Sequence, residues 1–464
     1  MNLGLVKYSI ERMSSLQDFY KSVQKTVIAK AKKGIKKNRF GYLVDRYFLI
    51  LMLGAEEEQQ KESFVSLKKY VEKYVDILDF QKNSDANNSE GKILYRLKNT
   101  QELEKKGYEL NIQKATEEYR KSADIPTIHG ANTLVMLITR FEEFISNVLS
   151  ELYVSYPQKY LNNQKIEFSE ILNVGIDEVK DKIISREIDK KMRESYSEWF
   201  KLFADHGMKL DSCQDELKKL KEVYCRRNII VHNSGQVNAT YIKEVPNSNV
   251  KIGDFLFPDE AYLSDAFASI KIIMFSILIE AVRLIETQKS SYLYGIFEVA
   301  FEELVNEHYY VCHKVFSEIA ENKHSDAQTK MLSKVNCWIA QKALNGLDSI
   351  KGEIEEFDFS ALDEMYTLAR AVLLNHYDEV NRMLSGLLDT KKLPPSYIEE
   401  WPLFKEYRKT SQYEQFKTHH PEVFEISSVE IGQNNFDSST PSGHGLRSEI
   451  NAMQQANDDN LAAE

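Results

Sequence analysis

Apolar residues recur at steps of three and four along most of the chain, the signature of helices that each bury one face. Leu16, Phe19, Tyr20, Val23 and Val27 mark the first such face, and residues 42–53 read as a short, strongly apolar helix. Phe64, Leu67, Val71, Val75 and Leu78 continue at helical spacing. Residues 81–91, rich in Asn, Ser and Asp, interrupt the pattern with turn chemistry. Residues 93–121 predict a charged bridging helix, ended at Asp124-Ile125-Pro126 because the residue before proline avoids the helical region.

The second third is richer. Residues 131–156 predict a long helix with Leu134, Ile138, Phe141, Ile145, Val148, Leu149 and Leu152 on one side. One or two helices follow over 169–203, then a break at Asp205-His206-Gly207 and a helix over 214–232. Residues 241–257 hold two short β-prone runs around a Pro-Asn-Ser-Asn turn and predict a small hairpin. Residues 259–285 are apolar on much of their surface, as in a helix central to a bundle or a dimer interface. Residues 291–425 predict antiparallel helix pairs, 362–374 with 377–388 being the clearest, similar to tetratricopeptide-type solenoids but without a clean repeat. Trp401 to Phe404 reads as a cap. The last residues, 426–464, are polar and predict a disordered tail.

The expected architecture is all-α: an N-terminal helical module (1–125), a central bundle with a small β-hairpin insertion (126–290) and a C-terminal solenoid-like region (291–425). Scarce Gly (18) and Pro (9) in 464 residues agree with long helices. The four cysteines lack CxxC spacing, so neither a zinc site nor a disulfide framework follows. No signal peptide or membrane span is read, and the expectation is a cytoplasmic protein without membrane association.

The net charge of −11 argues against a general nucleic-acid coat, but it is uneven. Lys25, Lys30, Lys32, Lys33, Lys36, Lys37 and Arg39 form a run without an acid, and removing those seven charges leaves −18 for the remainder. Such a run is either a solvated helix face or a phosphate-contacting patch, in which Lys36 and Lys37 are taken as substrate contacts.

One stretch carries charge into an apolar seam. Leu217, Leu220, Tyr224, Arg227 and Val231 follow helical spacing, so Arg227 falls on the buried stripe and needs an anion or several acceptors. Asn228 and His232 are four apart on the adjoining face, and Asn233-Ser234-Gly235 supplies a helix stop. Glu142 or Glu143 could supply an acidic partner, and Glu143 is taken as the acidic support. Arg226 reads as a surface phosphate contact or a solvated residue, and Asn233 as a further substrate contact.

This Arg-x4-His pattern, Arg227-Asn228 through His232-Asn233, resembles the signature of the HEPN superfamily, small helical bundles that are often metal-independent ribonucleases in toxin and antiviral systems. The resemblance covers about 126–290 and implies an endoribonuclease acting on RNA without a cofactor or metal. It also implies a homodimer that builds one composite cleft from two chains. In that reading His232 exchanges protons with the 2′-OH and the 5′-oxygen, Arg227 stabilises the phosphorane, and Asn228 orients the ring or the phosphate. The product would be a 2′,3′-cyclic phosphate.

Arg370 and His376 form a second match, read as bland because His376 falls at a turn and no polar residue follows the arginine. His308, Cys312 and His313 lack a third metal ligand on one face. The competing expectation is an inactive HEPN-like scaffold whose C-terminal helix pairs bind a protein partner.

Overall fold

The computed structural model describes residues 3–53, 61–81, 92–161, 166, 168–246, 249–285, 287–360, 362–390, 393 and 395–421. The tail expected over 426–464 lies outside them, as do most of the turn at 81–91 and residues 247–248 in the tip of the expected hairpin. The fold is all-α with one small two-stranded sheet. Among the described residues, no helix is long and apolar enough to cross a membrane.

Contacts divide the chain into two compact units, 1–201 with 214–274, and 202–213 with 275–464. These boundaries differ from the expected divisions at 125 and 290. The reason is the pairing of the first and fourth helices, which ties the N-terminal module to the bundle.

In the first unit, α1 (Leu3–Leu53) is a single helix in which the expected short helix at 42–53 is the last segment. After α2 (Glu62–Glu72), the chain forms the antiparallel pair β1 (Val75–Gln81) and β2 (Lys92–Leu97), with Val75 opposite Leu97 and an irregularity between Ile77 and Asp79. The helical spacing of Val75 and Leu78 therefore misleads, because Val-Asp-Ile-Leu-Asp-Phe serves equally as a β-prone run. The short α3 (Thr100–Lys105) leads into α4 (Ile112–Ser155).

Helix α4 does not stop at Pro126 but runs through it. Packing against α1 over nearly its whole length outweighs the lost N–H donor. The two helices are antiparallel: Arg12 meets Glu143, Asn147 Nδ2 donates to Ser9 Oγ at 3.1 Å, and Gly41 faces Ala115. Ile10, Met13, Tyr20, Phe40 and Val44 are buried along α1, whereas Phe19 points to solvent. His129 lies inside α4 and stacks on Tyr20, with ring centroids 5.1 Å apart.

The short α5 (Pro157–Leu161) and α6 (Phe168–Val174) precede α7 (Ile176–Met192) and α8 (Tyr196–Asp205). A turn at Gly207, with φ of 76°, leads to α9 (Gln214–His232), which matches the expected helix. Among the described residues of 241–257 the expected hairpin is not seen: Asn238 caps a short α10 (Ala239–Glu244) by accepting from Tyr241 N–H at 2.9 Å. The extended pairing falls instead between 235–237 and 253–256, through a single bridge from Gln236 to Phe255. Helix α11 (Glu260–Val282) is buried on most sides and gives residues 260–274 to the first unit and 275–282 to the second.

The second unit continues with α12 (Lys289–Val305), α13 (Tyr309–Glu321), α14 (Ala327–Asn345) and α15 (Asp348–Glu356). The expected helix pair is present as α16 (Glu364–Leu373) and α17 (Tyr377–Asp389), followed by α18 (Pro395–Glu400) and α19 (Ser411–His419). Between the last two, a 3₁₀ turn at Pro402–Phe404 buries Leu403 and Phe404. Lys342 on α14 caps α16, donating to Leu373 O at 2.7 Å and Asn375 Oδ1 at 2.6 Å.

Two measurements test these contacts. In an isolated helix Gly41→Ala should stabilise by about 0.5–1 kcal/mol. Here a Cβ would overlap that of Ala115, so the substitution should lower the unfolding free energy in urea by about 1–3 kcal/mol. Burial lowers the Lys342 pKa from 10.5 to about 8, so the native state sheds a proton that the unfolded chain keeps. The stability of the wild type relative to Lys342→Met should therefore rise between pH 8 and pH 10, read by urea titrations across that window.

Candidate functional site

The last three turns of α9 place two arginines in different surroundings. On the seam, Leu220 and Tyr224 are buried, Arg227 is half-buried and Val231 is 49% exposed, so the buried stripe ends before the helix does. Arg227 Nη2 donates to Glu142 Oε1 on α4 at 2.8 Å, and its guanidinium lies 5.6 Å from the Tyr224 ring centre. The Tyr224 phenol faces that carboxylate without a hydrogen bond of ordinary geometry, and burial, reinforced by the Glu142 charge, raises its pKa. The anion that Arg227 requires is thus Glu142. Glu143, one residue on, faces the first helix instead, where it meets Arg12 and also takes Arg140 Nη1 at 2.8 Å.

Arg226 is the more buried arginine, with 14% of its side chain exposed. Its Nε donates to Glu222 Oε1 at 2.8 Å, one turn earlier, and its guanidinium stacks 3.7 Å over the Tyr262 ring. Tyr241 donates to Glu222 Oε1 at 2.7 Å and Tyr262 to Glu222 Oε2 at 2.6 Å. One carboxylate therefore joins α9, α10 and α11. Burial, followed by the charge of Glu222, raises the pKa of the Tyr262 phenol. The expected surface position of Arg226 is not observed, because two tyrosines distant in sequence enclose it. The spacing of Glu222 and Arg226 could have signalled the ion pair; the tyrosines could not have been assigned.

Asn228 and His232 are exposed on the adjoining face, and among the described residues His232 has no hydrogen-bond or ion-pair partner. The stop beyond it is built from Asn233 N–H and Gly235 N–H, both donating to Ile229 O at 2.9 Å. Asn233 Nδ2 donates to Gln236 O at 2.6 Å, so its amide serves the turn. Gly235 has φ of 81°, and a Cβ there would come within 2.5 Å of Phe257 Cζ. The close approach brings the exposed rings of Phe255 and Phe257, nearly parallel with centroids 6.3 Å apart, beside the helix end.

Lys36 and Lys37 are exposed on α1 but do not share this site. Gly34 lies against Ser122 and Gly41 against Ala115, so the two lysines stand level with residues 118–121 of α4. That is about 30 Å along the helix from Glu142 at 1.5 Å per residue. In the second unit, Arg370 lies over Phe359 at 5.6 Å and His376 meets Glu379 at 3.6 Å, an arrangement of local contacts. His308 meets Glu303 at 2.6 Å, and His313 meets Cys337 Sγ at 3.3 Å.

The arrangement at the end of α9 pairs Arg227 with a carboxylate from a neighbouring helix and presents an imidazole to solvent. No family model matches the chain, and neither a curated protein nor a solved structure is similar to it at a significant level.

The Glu222 cluster is a direct stability test. Glu222→Leu leaves the Arg226 charge enclosed and both phenols without an acceptor, and should cost about 3–5 kcal/mol in chemical denaturation. Tyr262→Phe, which removes one of the three donors, should cost about 1.5–3 kcal/mol. If Arg226 were solvated, both losses would stay within about 0.5 kcal/mol.

Proposed function

We propose that the first unit carries a metal-independent endoribonuclease site of the HEPN kind, acting on RNA in a bacterial defence or toxin role. The observation that supports it is the end of α9. Arg227 is held by Glu142 on a neighbouring helix, while Asn228 and His232 remain exposed one turn apart before a glycine stop. The ion pair fixes one arm of the guanidinium and leaves other N–H donors for a phosphate. His232 takes the 2′-OH proton, the 2′-oxygen attacks phosphorus, and the departing 5′-oxygen receives a proton, giving a 2′,3′-cyclic phosphate and a 5′-hydroxyl. One imidazole per chain serves both transfers when two chains join their α9 ends, so the reading includes a homodimer. The cellular site would be the cytoplasm.

A second reading draws on the same ion pair. Glu142 already neutralises Arg227 and no described residue orients His232, as in an inactive HEPN-like scaffold that binds protein through its C-terminal helix pairs.

Purified protein in EDTA should cleave single-stranded RNA to cyclic-phosphate ends and leave a 2′-deoxy oligomer intact. Arg227→Ala and His232→Ala should each lower the rate about 100-fold or more with unchanged helicity. Absence of wild-type cleavage, or variants as active as wild type, favours the scaffold. Full activity from a strict monomer removes the composite cleft.

A further inference from the structure

The seven cations of the basic run all stand exposed on α1, over about 20 Å of helix. The opposite side of this stretch is occupied: Ala31, Asn38 and Phe40 are buried, and Gly34 and Gly41 lie against α4. Among the described residues, none of the seven forms an ion pair. Glu109 lies within the field of Lys37 but is itself paired with Lys114 at 3.4 Å. Glu117 and Glu118 are engaged with Lys121, and Asp45 with Arg120, while the exposed Asp124 stands level with Lys32 without an ion pair among the described residues. In a chain of net −11, this is a concentrated surface of uncompensated positive charge.

The stripe also leads somewhere. Arg39, its last member, lines a cleft of about 400 Å³ together with Ser63, Ser66, Tyr70 and Tyr108. Two partly exposed aromatic rings and two exposed hydroxyls at the end of a cationic track form a surface suited to unpaired bases. A lipid surface fits less well. An interfacial helix inserts an apolar face into the bilayer, but here the apolar face is spent on α4 and no large exposed apolar side chain lies between residues 25 and 39.

We propose that the outer face of α1 from Lys25 to Arg39 is a binding surface for single-stranded RNA, with the backbone along the lysines and a base in the cleft lined by Tyr70 and Tyr108. This deepens the RNA reading above and rests on it for the identity of the polymer. Along the α1–α4 pair the surface begins about 15 Å from the level of Glu142, the partner of Arg227, and ends about 40 Å from it, so it acts as a separate holding surface that restricts productive substrates to strands long enough to reach both.

The test is binding of a labelled oligouridylate to the full chain across a salt series. Joint replacement Lys32→Glu, Lys33→Glu, Lys36→Glu and Lys37→Glu should weaken binding at least tenfold and flatten the slope of log affinity against log salt by about 3, the effect of four lost phosphate contacts. Ser66→Trp, which fills the cleft from an exposed position, should weaken binding about threefold or more, with helicity checked for both proteins. Unchanged affinity and slope in the charge-reversed protein overturn the proposal. So does a wild-type preference for phosphatidylserine vesicles, or for a duplex of equal length, over the single strand. Binding and cleavage are read separately. A wild type that binds the oligomer and leaves it intact counts against the ribonuclease and not against this surface. A charge-reversed protein that binds normally counts against this surface alone.

Discussion

The close antiparallel seam between α1 and α4 is the constraint on which the first unit depends. Two glycines let the backbones approach where any side chain would collide with Ser122 or Ala115. That approach buries the apolar side of α1 and carries α4 across Pro126 without a break. It also sets the position of everything charged nearby. Glu143 turns toward α1 and meets Arg12, which leaves Glu142, rotated about 100° around the helix, to meet Arg227. The lysines of α1 are turned outward for the same reason.

The end of α9 shows how burial sorts adjacent like charges. Arg226 and Arg227 follow one another in sequence, so their side chains leave the helix in different directions. Arg226 enters an enclosure of one carboxylate and two phenols, where cation–π contact and charge-assisted hydrogen bonds offset its desolvation. Arg227 keeps 22% of its side chain in solvent and a single carboxylate partner. The first arrangement ties three helices together; the second leaves donors available.

Several elements are legible in the sequence alone. The helix over 214–232, its stop at Asn233 to Gly235, and the pair formed by 364–373 and 377–389 follow from apolar spacing and turn chemistry acting locally. Other expectations failed where local signals were ambiguous. The run from Val75 fits a strand as well as a helix, and pairing with 92–97 decides for the strand. The run from Tyr241 looks β-prone, but a cap from Asn238 and burial of Tyr241 against Ile229 and Val237 favour a helical turn. Pro126 lowers the local tendency to continue a helix, yet contacts along a whole partner helix outweigh one missing hydrogen bond.

By itself, then, the sequence determined an all-α protein, the extent and end of α9, the relative placement of Arg227, Asn228 and His232 on it, and the acid-free cationic run on α1. These depend on residues within a few turns of one another, where periodicity and capping act directly. Only the tertiary structure decided that Glu142 rather than Glu143 meets Arg227, that Arg226 is enclosed, and that Lys36 and Lys37 stand about 30 Å along α4 from Glu142. Those outcomes depend on which helices pack together and at what rotation. Partners such as Glu142 and Arg227, 85 residues apart, leave no periodic trace in the chain.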